Sequence, residues 1–411
     1  MRRREFLIGV GASGLAAVLA ACTKALQSAG LTPSPNPVAT ATPTATPTAL
    51  PTVEPTPTVN PEAELRAQIG QMLIVGFRGL AVDDSSQVVR DIRENGLGGV
   101  VLFDRDMPTG SDVRNIESPA QVAALTTELQ SAAAGAYGQP LLVAVDEEGG
   151  LVQRLGPAHG FPGFPSAAAL GERDDPDYTQ GVSADMARVL GQVGINLNLA
   201  PVVDVNVNPT NPVIGSLGRS FSADPEVISA QARAFVEGQR SVGVRTALKH
   251  FPGHGSSTAD SHQGFVDVTE TWSEAELIPY RRLFAANAAD TVLTAHVYNA
   301  NLDADFPATL SRATISGLLR GELGWTGPVI SDDLQMGAIR DIYGTDEALA
   351  RCIGAGVDIL LIAQQQVYEE DVVAKTIDRV VALVDAGEIE RERIAEAAGR
   401  IDAFKASLMG A

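Results

Sequence analysis

Residues 246–255 read Thr246-Ala247-Leu248-Lys249-His250-Phe251-Pro252-Gly253-His254-Gly255. A short apolar run ends in two ionisable side chains and then breaks, because Pro252 cannot donate to a ladder and Gly253 frees the backbone to turn. The predicted local structure is a strand that delivers Lys249 and His250 at its C-terminal end and hands the chain to a loop. Seven further runs follow the same plan: Met72–Phe77, Gly99–Phe103, Leu141–Asp146, Ile195–Val203, Thr291–His296, Pro328–Asp332 and Val357–Ile362. Between them lie longer segments with helix-start signals, such as Ser118-Pro119 ahead of Gln121 to Ala134 and Asp224-Pro225 ahead of Glu226 to Gln239. Strand and helix alternating in this way predict parallel strands joined by helical crossovers. Periodicity alone admits a doubly wound open sheet as well as a closed barrel. The polar residues choose between them. Asp146, Lys249-His250, His296 and Asp332 each end an apolar run, and in a barrel all C-terminal strand ends converge on one face. An open sheet would spread them along a row of strand edges. The chain is therefore expected to be α/β, a single (β/α)8 TIM-type barrel over residues 62–411.

The loop after Pro252-Gly253 continues to Asp260-Ser261-His262, so His250, His254 and His262 fall within thirteen residues. An Asp-x-His pair on a loop over a barrel mouth suits proton transfer, since an imidazole titrates near neutral pH and a carboxylate orients it and favours its charged form. Two plainer readings stand beside this one: histidines that only satisfy backbone carbonyls, and zinc ligands. The intervening Pro252-Gly253 breaks any helix, which counts against zinc, and no metal is expected. Ser331-Asp332-Asp333-Leu334-Gln335-Met336 is the second motif. An aspartate ending a buried strand is costly unless paired or functional; Asp332 is thus the candidate for the pocket, while Asp333 reads as a helix N-cap carboxylate. The third motif is Asp146-Glu147-Glu148-Gly149-Gly150 with Gln153-Arg154. Its carboxylate and guanidinium suit paired hydrogen bonds to hydroxyls, and a solvated acidic turn is the alternative.

Ahead of the barrel, Arg2, Arg3 and Arg4 precede Phe6 and Leu7, and residues 7–21 are apolar or small apart from Ser13. The run is short for a bilayer span. It ends in Leu19-Ala20-Ala21-Cys22, a pattern resembling a lipoprotein cleavage site with Cys22 as the acylated residue, and the paired arginines resemble a twin-arginine export signal. An uncleaved anchor helix is the alternative; either places the protein at a membrane, outside the cytoplasm. Residues 23–61 are dominated by Thr, Pro and Ala and are expected to form a disordered linker. Such tethers extend by about 3.1 Å per residue, roughly 90 Å for thirty residues. Cys352 is the only other cysteine, so no internal disulfide is expected. A formal charge of −20 opposes direct binding of nucleic acid or anionic lipid headgroups and points to a neutral or small partner. No cofactor is expected, and a monomer is the expected state.

Lys249 to His262 and Ser331 to Met336 resemble the β-N-acetylglucosaminidase branch of glycoside hydrolase family 3, the similarity running from about Leu65 to the C-terminus. The resemblance implies Asp332 as nucleophile and Asp260 with His262 as an acid/base dyad. It places Asp146, Arg154, Arg219, Lys249 and His250 at the bound sugar and His296 at a further pocket position. The implied reaction is exo-acting, retaining hydrolysis of terminal β-linked N-acetylglucosamine from cell-wall fragments or chitin-type oligosaccharides. Phosphorolysis is a close alternative, because an imidazole does not repel phosphate as a carboxylate would; a lipid-anchored sugar-binding protein without chemistry is a more distant one. Three departures stand out. The family pattern Ile-Gly-x-Arg-Ser-Phe is about two residues longer here, as Ile214-Gly215-Ser216-Leu217-Gly218-Arg219-Ser220-Phe221. Glu147 and Leu151 stand where Gln and often Arg are expected. The second domain that supplies the acid in the family's β-glucosidases is not expected.

Overall fold

Each apolar run forms a strand in the structure, a computed structural model that describes residues 60–409, and all but Thr246–His250 form one shorter than the run. In chain order the barrel strands are β1 (Leu73–Gly76), β2 (Gly99–Val101), β3 (Leu142–Val145), β4 (Leu197–Asn198), β5 (Arg245–Phe251), β6 (Thr291–Thr294), β7 (Val329–Ile330) and β8 (Leu360–Ile362). Every pairing is parallel, in the order β8-β1-β2-β3-β4-β5-β6-β7, with Val75 opposite Val100 and Val100 opposite Val143. The ring closes between β7 and β8 through the bridge Ile330–Ile359, where Ser331 N donates to Ile359 O at 2.8 Å. Closure leaves no free edge, so the architecture is the (β/α)8 barrel and not the open sheet.

Helices cover the outer face and side chains fill the interior, which is why the strand runs are continuously apolar instead of alternating. Val100, Leu142, Leu197, Ala247, Val292, Ile330 and Leu360 are fully buried, and each large aliphatic side chain so placed contributes about 1.5–3 kcal/mol. The regular strand β4 ends at Asn198, but contact with β5 continues past it: Ala247 N donates to Ala200 O at 3.0 Å and Lys249 N to Pro201 O at 3.2 Å, followed by the bridge Val202–Lys249. The two helix starts read from Ser-Pro and Asp-Pro are present. Ser118 caps Pro119–Tyr137 through Gln121 N at 3.3 Å, and Asp224 caps Pro225–Arg240 through Glu226 N at 2.9 Å. The first described helix, Pro61–Gln71, begins on the last residue assigned to the linker, capped by Asn60. Cys22 and the leader lie outside the described residues. Among the described residues no helix is long and apolar enough to cross a membrane, and Cys352 is buried as a free thiol.

Candidate active site

A cavity of about 590 Å³ opens at the C-terminal ends of the strands. Asp146, Arg154, Arg219, Lys249, His250, Asp260, His262 and Asp332 all line it, together with apolar groups including Phe103, Val213, Leu217 and Met336. Residues as far apart in sequence as Asp146 and Asp332 thus share one pocket, as convergence of strand ends requires.

Asp332 lies one residue beyond β7, after Ser331. Its Oδ1 accepts from Asp333 N at 2.9 Å, and its own N–H donates to Thr294 Oγ1 at 3.2 Å, fixing the backbone to the end of β6. Burial pushes the carboxyl up, but His296, His250 and His262 outweigh it and hold Asp332 below the usual carboxylate range. It is therefore ionised at neutral pH. Asp333 is not the helix N-cap expected from the sequence, since the next helix starts at Gly337 with Met336 at the cap; its Oδ1 instead accepts from Gln335 N at 3.1 Å and from Ala363 N at 3.0 Å, tying the turn to the end of β8. Burial pushes the Asp333 carboxyl up to about 6. His296 is the one residue of the nine that does not line the cavity. It is 1% exposed beneath it, with Nδ1 2.8 Å from Thr309 Oγ1 and Nε2 2.9 Å from the Asp333 carbonyl oxygen. A carbonyl only accepts, so Nε2 carries a proton toward it, and burial lowers the ring's pKa against the pull of Asp332. Its place is under the nucleophile's backbone, where it steadies residues 332–333.

The Asp260–His262 pair forms within the loop after β5. Asp260 Oδ1 accepts from His262 N at 2.9 Å and lies 2.8 Å from His262 Nδ1, while Gln263 Nε2 donates to Oδ2 at 3.2 Å. Burial pushes the Asp260 carboxyl up, and the backbone and ring bonds from His262 overcome that and hold it low. The carboxylate thus fixes the ring and leaves Nε2 open in a side chain that is 53% exposed. Two backbone bonds dock this loop on the segment after Asp332: Gly337 N donates to His262 O at 3.3 Å and Ala338 N to Ser261 O at 3.2 Å.

A ladder of alternating charge forms another wall. Arg219 grips Glu148 with both arms of its fork, at 2.8 and 2.7 Å; Lys249 Nζ lies 2.7 Å from Glu148 and 2.7 Å from Asp146. Arg154 stands 3.9 Å from Asp146 and 3.6 Å from Asp104. Burial opposes charge on Glu148, yet Arg219 and Lys249 drive its carboxyl far below the usual range. The turn Gly215–Leu217, closed by Gly218 at φ +63°, takes up the extra length of Ile214–Phe221 and brings Arg219 to the cavity.

The sequence reading missed Asp204. It is fully buried, its Oδ2 lies 2.7 Å from His250 Nδ1, and its Oδ1 accepts from the backbone N–H of His250 (3.1 Å) and His254 (2.8 Å). Burial raises its pKa but His250 pulls it lower still, so it is a carboxylate that orients His250, whose Nε2 is 3.4 Å from Arg219 Nη2. The signal was present: Asp204 is the residue after the Ile195–Val203 run, the same strand-end position as Asp146 and Asp332. His254 meets serine hydroxyls and not the backbone carbonyls of the plainer reading: it is buried with Nδ1 2.7 Å from Ser257 Oγ and Nε2 3.3 Å from Ser261 Oγ, and burial lowers its pKa to about 4. The three histidines considered as zinc ligands face separate partners, and among the described residues no group of three His, Cys, Asp or Glu side chains is placed to hold a metal.

Glu147 and Leu151 sit on the hairpin that follows β3. Leu151 is 75% exposed at its tip, whereas Glu147 is 1% exposed and turned into the fold, with Oε2 accepting from Leu155 N at 2.9 Å and Oε1 without a partner. Burial pushes the Glu147 carboxyl up to about 8. The folded protein therefore holds a proton that the unfolded chain loses above the ordinary Glu range, so the contribution of Glu147 to stability is fully present below that range and is lost as pH rises toward 8. Glu276, buried and also raised to about 8, adds to the same slope. Glu147→Gln, which keeps the shape and removes the charge, is expected to stabilise the fold by a few kcal/mol at pH 8 and by much less at pH 5. Thermal midpoints at the two pH values check this; an equal change at both would contradict it.

Comparison with known proteins agrees with this geometry. The family described as Glycosyl hydrolase family 3 N terminal domain matches residues 64–403. The chain is 34% identical over 333 residues to Beta-hexosaminidase A of Pseudoalteromonas piscicida, covering 76% of this chain but 54% of that protein. It is 35% identical over 348 residues to Beta-hexosaminidase LpqI of Mycobacterium tuberculosis, covering 83% of this chain and 82% of the relative. Among solved structures, a glycoside hydrolase family 3 β-N-acetylglucosaminidase from Paenibacillus superposes with a TM-score of 0.76 at 36% identity, over 84% of this chain and 62% of the other. By its matched length, its barrel and its relatives, the chain belongs to glycosyl hydrolase family 3 and is a glycoside hydrolase.

Proposed function

We propose that the chain is an exo-acting, retaining β-N-acetylglucosaminidase working by double displacement. The observation that carries the reading is one cavity holding an ionised strand-end carboxylate, Asp332, and a loop-borne imidazole, His262, whose Nδ1 is engaged by Asp260 while Nε2 is open. In the first step an Asp332 oxygen attacks the anomeric carbon as His262 Nε2 gives its proton to the departing oxygen. In the second, His262 takes a proton from water, which attacks the same carbon and frees Asp332. Where most retaining glycosidases pair two carboxyl groups, an imidazole here fills the acid's place. Lys249 and His250, with Asp146 and Arg154, are the groups assigned to the sugar's hydroxyls, Arg219 completes that wall, and the apolar lining beside it suits the CH faces and the acetyl methyl of the ring.

The test is turnover of a nitrophenyl β-N-acetylglucosaminide beside the matching glucoside, with and without phosphate. A pocket that hydrogen-bonds the acetamido group is expected to favour the N-acetyl sugar by at least about 10²-fold. Free N-acetylglucosamine is the expected product in both buffers, and EDTA is expected to leave the rate unchanged. Equal rates on the two sugars would remove the substrate assignment. A sugar 1-phosphate would replace hydrolysis with phosphorolysis.

The placement we infer is the outer side of a membrane, with Cys22 lipidated and residues 23–61 as the tether, a reach suited to cell-wall fragments or chitin-type chains; the support is the sequence of residues 1–61. The native protein is then expected to need detergent for release, and Cys22→Ser to accumulate unprocessed. A Cys22→Ser product still cleaved and lipid-modified would refute the anchor.

A further inference from the structure

We propose that Gly337 and Ala338 are positioning residues that set the Asp260–His262 loop at its working distance over Asp332. This rests on the reading of His262 as the proton shuttle. The segment after the nucleophile starts from a fixed point, because Asp333 is bonded to Ala363 N and Gln335 N and Met336 is buried. A short helix, Gly337–Arg340, then begins. The first N–H groups of any helix lack intrahelical partners and are usually satisfied by a capping side chain. Met336 at the cap position supplies none. The donors go to the loop instead, Gly337 N to His262 O (3.3 Å) and Ala338 N to Ser261 O (3.2 Å). The helix start and the shuttle loop therefore complete each other, and both bonds lie on or beside the shuttle residue.

The close approach explains why position 337 carries glycine. An added Cβ would sit 3.0 Å from His262 O, 3.1 Å from Gln263 C and 3.1 Å from Asp341 Oδ2. Two of those atoms belong to the backbone of the shuttle loop. The helix side is pinned through Asp333 and Met336, whereas His262 and Gln263 are exposed, so the loop is the side that yields. Nucleophile and shuttle are thus spaced by one backbone contact, and a methyl group at 337 widens the gap without touching either side chain.

The test separates the two chemical steps in Gly337→Ala. Glycosylation, read as nitrophenolate release in a single turnover, is expected to stay within about twofold of wild type, because this leaving group needs little protonation. Steady-state turnover of the nitrophenyl substrate and hydrolysis of chitobiose, which need the shuttle, are expected to slow about tenfold, and more in Gly337→Val. Azide, an anion that attacks the glycosyl-enzyme without being deprotonated and expels Asp332 as carboxylate, is expected to restore steady-state turnover of the nitrophenyl substrate in Gly337→Ala. The single-turnover amplitude counts competent sites, so partial misfolding alters the amplitude and not the rate constants. Slowing of both steps by a common factor, or of neither, would overturn the proposal. His262→Ala run in parallel guards the reading beneath it: absence of leaving-group dependence there would remove His262 as shuttle, and the proposal with it.

Discussion

The Asp332→Asn enzyme is expected to lose several orders of magnitude in kcat/KM on every substrate, with the same loss for good and poor leaving groups. Asn has the size to accept the Asp333 N–H that Asp332 Oδ1 now accepts at 2.9 Å, so the turn survives. What disappears is the anion that attacks the anomeric carbon, and with it the covalent intermediate. Asp332 is held in its charged form against burial by three histidines, His296, His250 and His262, an arrangement that serves chemistry more than folding. The thermal midpoint is therefore expected to hold or rise while activity collapses. Intact mass after reaction with a slow substrate checks the mechanism: wild type carries a sugar adduct and the Asp332→Asn enzyme none. An adduct on the Asp332→Asn enzyme would move the nucleophile elsewhere.

His262→Ala is expected to behave in the opposite way, with a penalty set by the leaving group. Nitrophenolate departs with little protonation, so glycosylation survives and only release of the sugar slows. With a sugar leaving group both steps need the imidazole, and the loss approaches the 10²–10⁴-fold range of general acid–base catalysis. The geometry gives this test a clear control. Asp260 Oδ1 also accepts the His262 backbone N–H at 2.9 Å, so the turn persists without the ring. Measured across phenols of falling acidity, log(kcat/KM) should drop steeply with leaving-group pKa for His262→Ala and shallowly for wild type. Parallel lines would make His262 a binding residue.

The barrel and most of the site were legible in the residues because a strand end is a simple geometric statement. An apolar run that stops on a charged residue says both that a strand ends and which way its last side chains are presented; Asp146, Lys249-His250 and Asp332 were all read that way. Asp204 escaped because the apolar run Ile195–Val203 ends one residue before it. Glu148 was quoted within its motif but not singled out, since sequence alone does not reveal that Arg219 and Lys249, 71 and 101 positions further on, meet at one carboxylate. His296 obeyed the strand-end rule yet turned beneath the pocket, because β6 pairs only as far as Thr294 and Thr309 and the Asp333 carbonyl draw the ring inward. Those are long-range contacts, and no local pattern encodes them.

The shared carboxylate of Glu148 also shapes how this wall changes over evolutionary time. Arg219 and Lys249 both depend on it while being almost wholly out of water, and stranding one member of such a buried set costs about 3–5 kcal/mol. That is a large part of a domain's net stability of about 5–15 kcal/mol. Single replacements at Glu148, Arg219 or Lys249 are therefore expected to be poorly tolerated, and change at this wall to require compensating pairs. The exposed Met107 and Leu151 carry no such constraint.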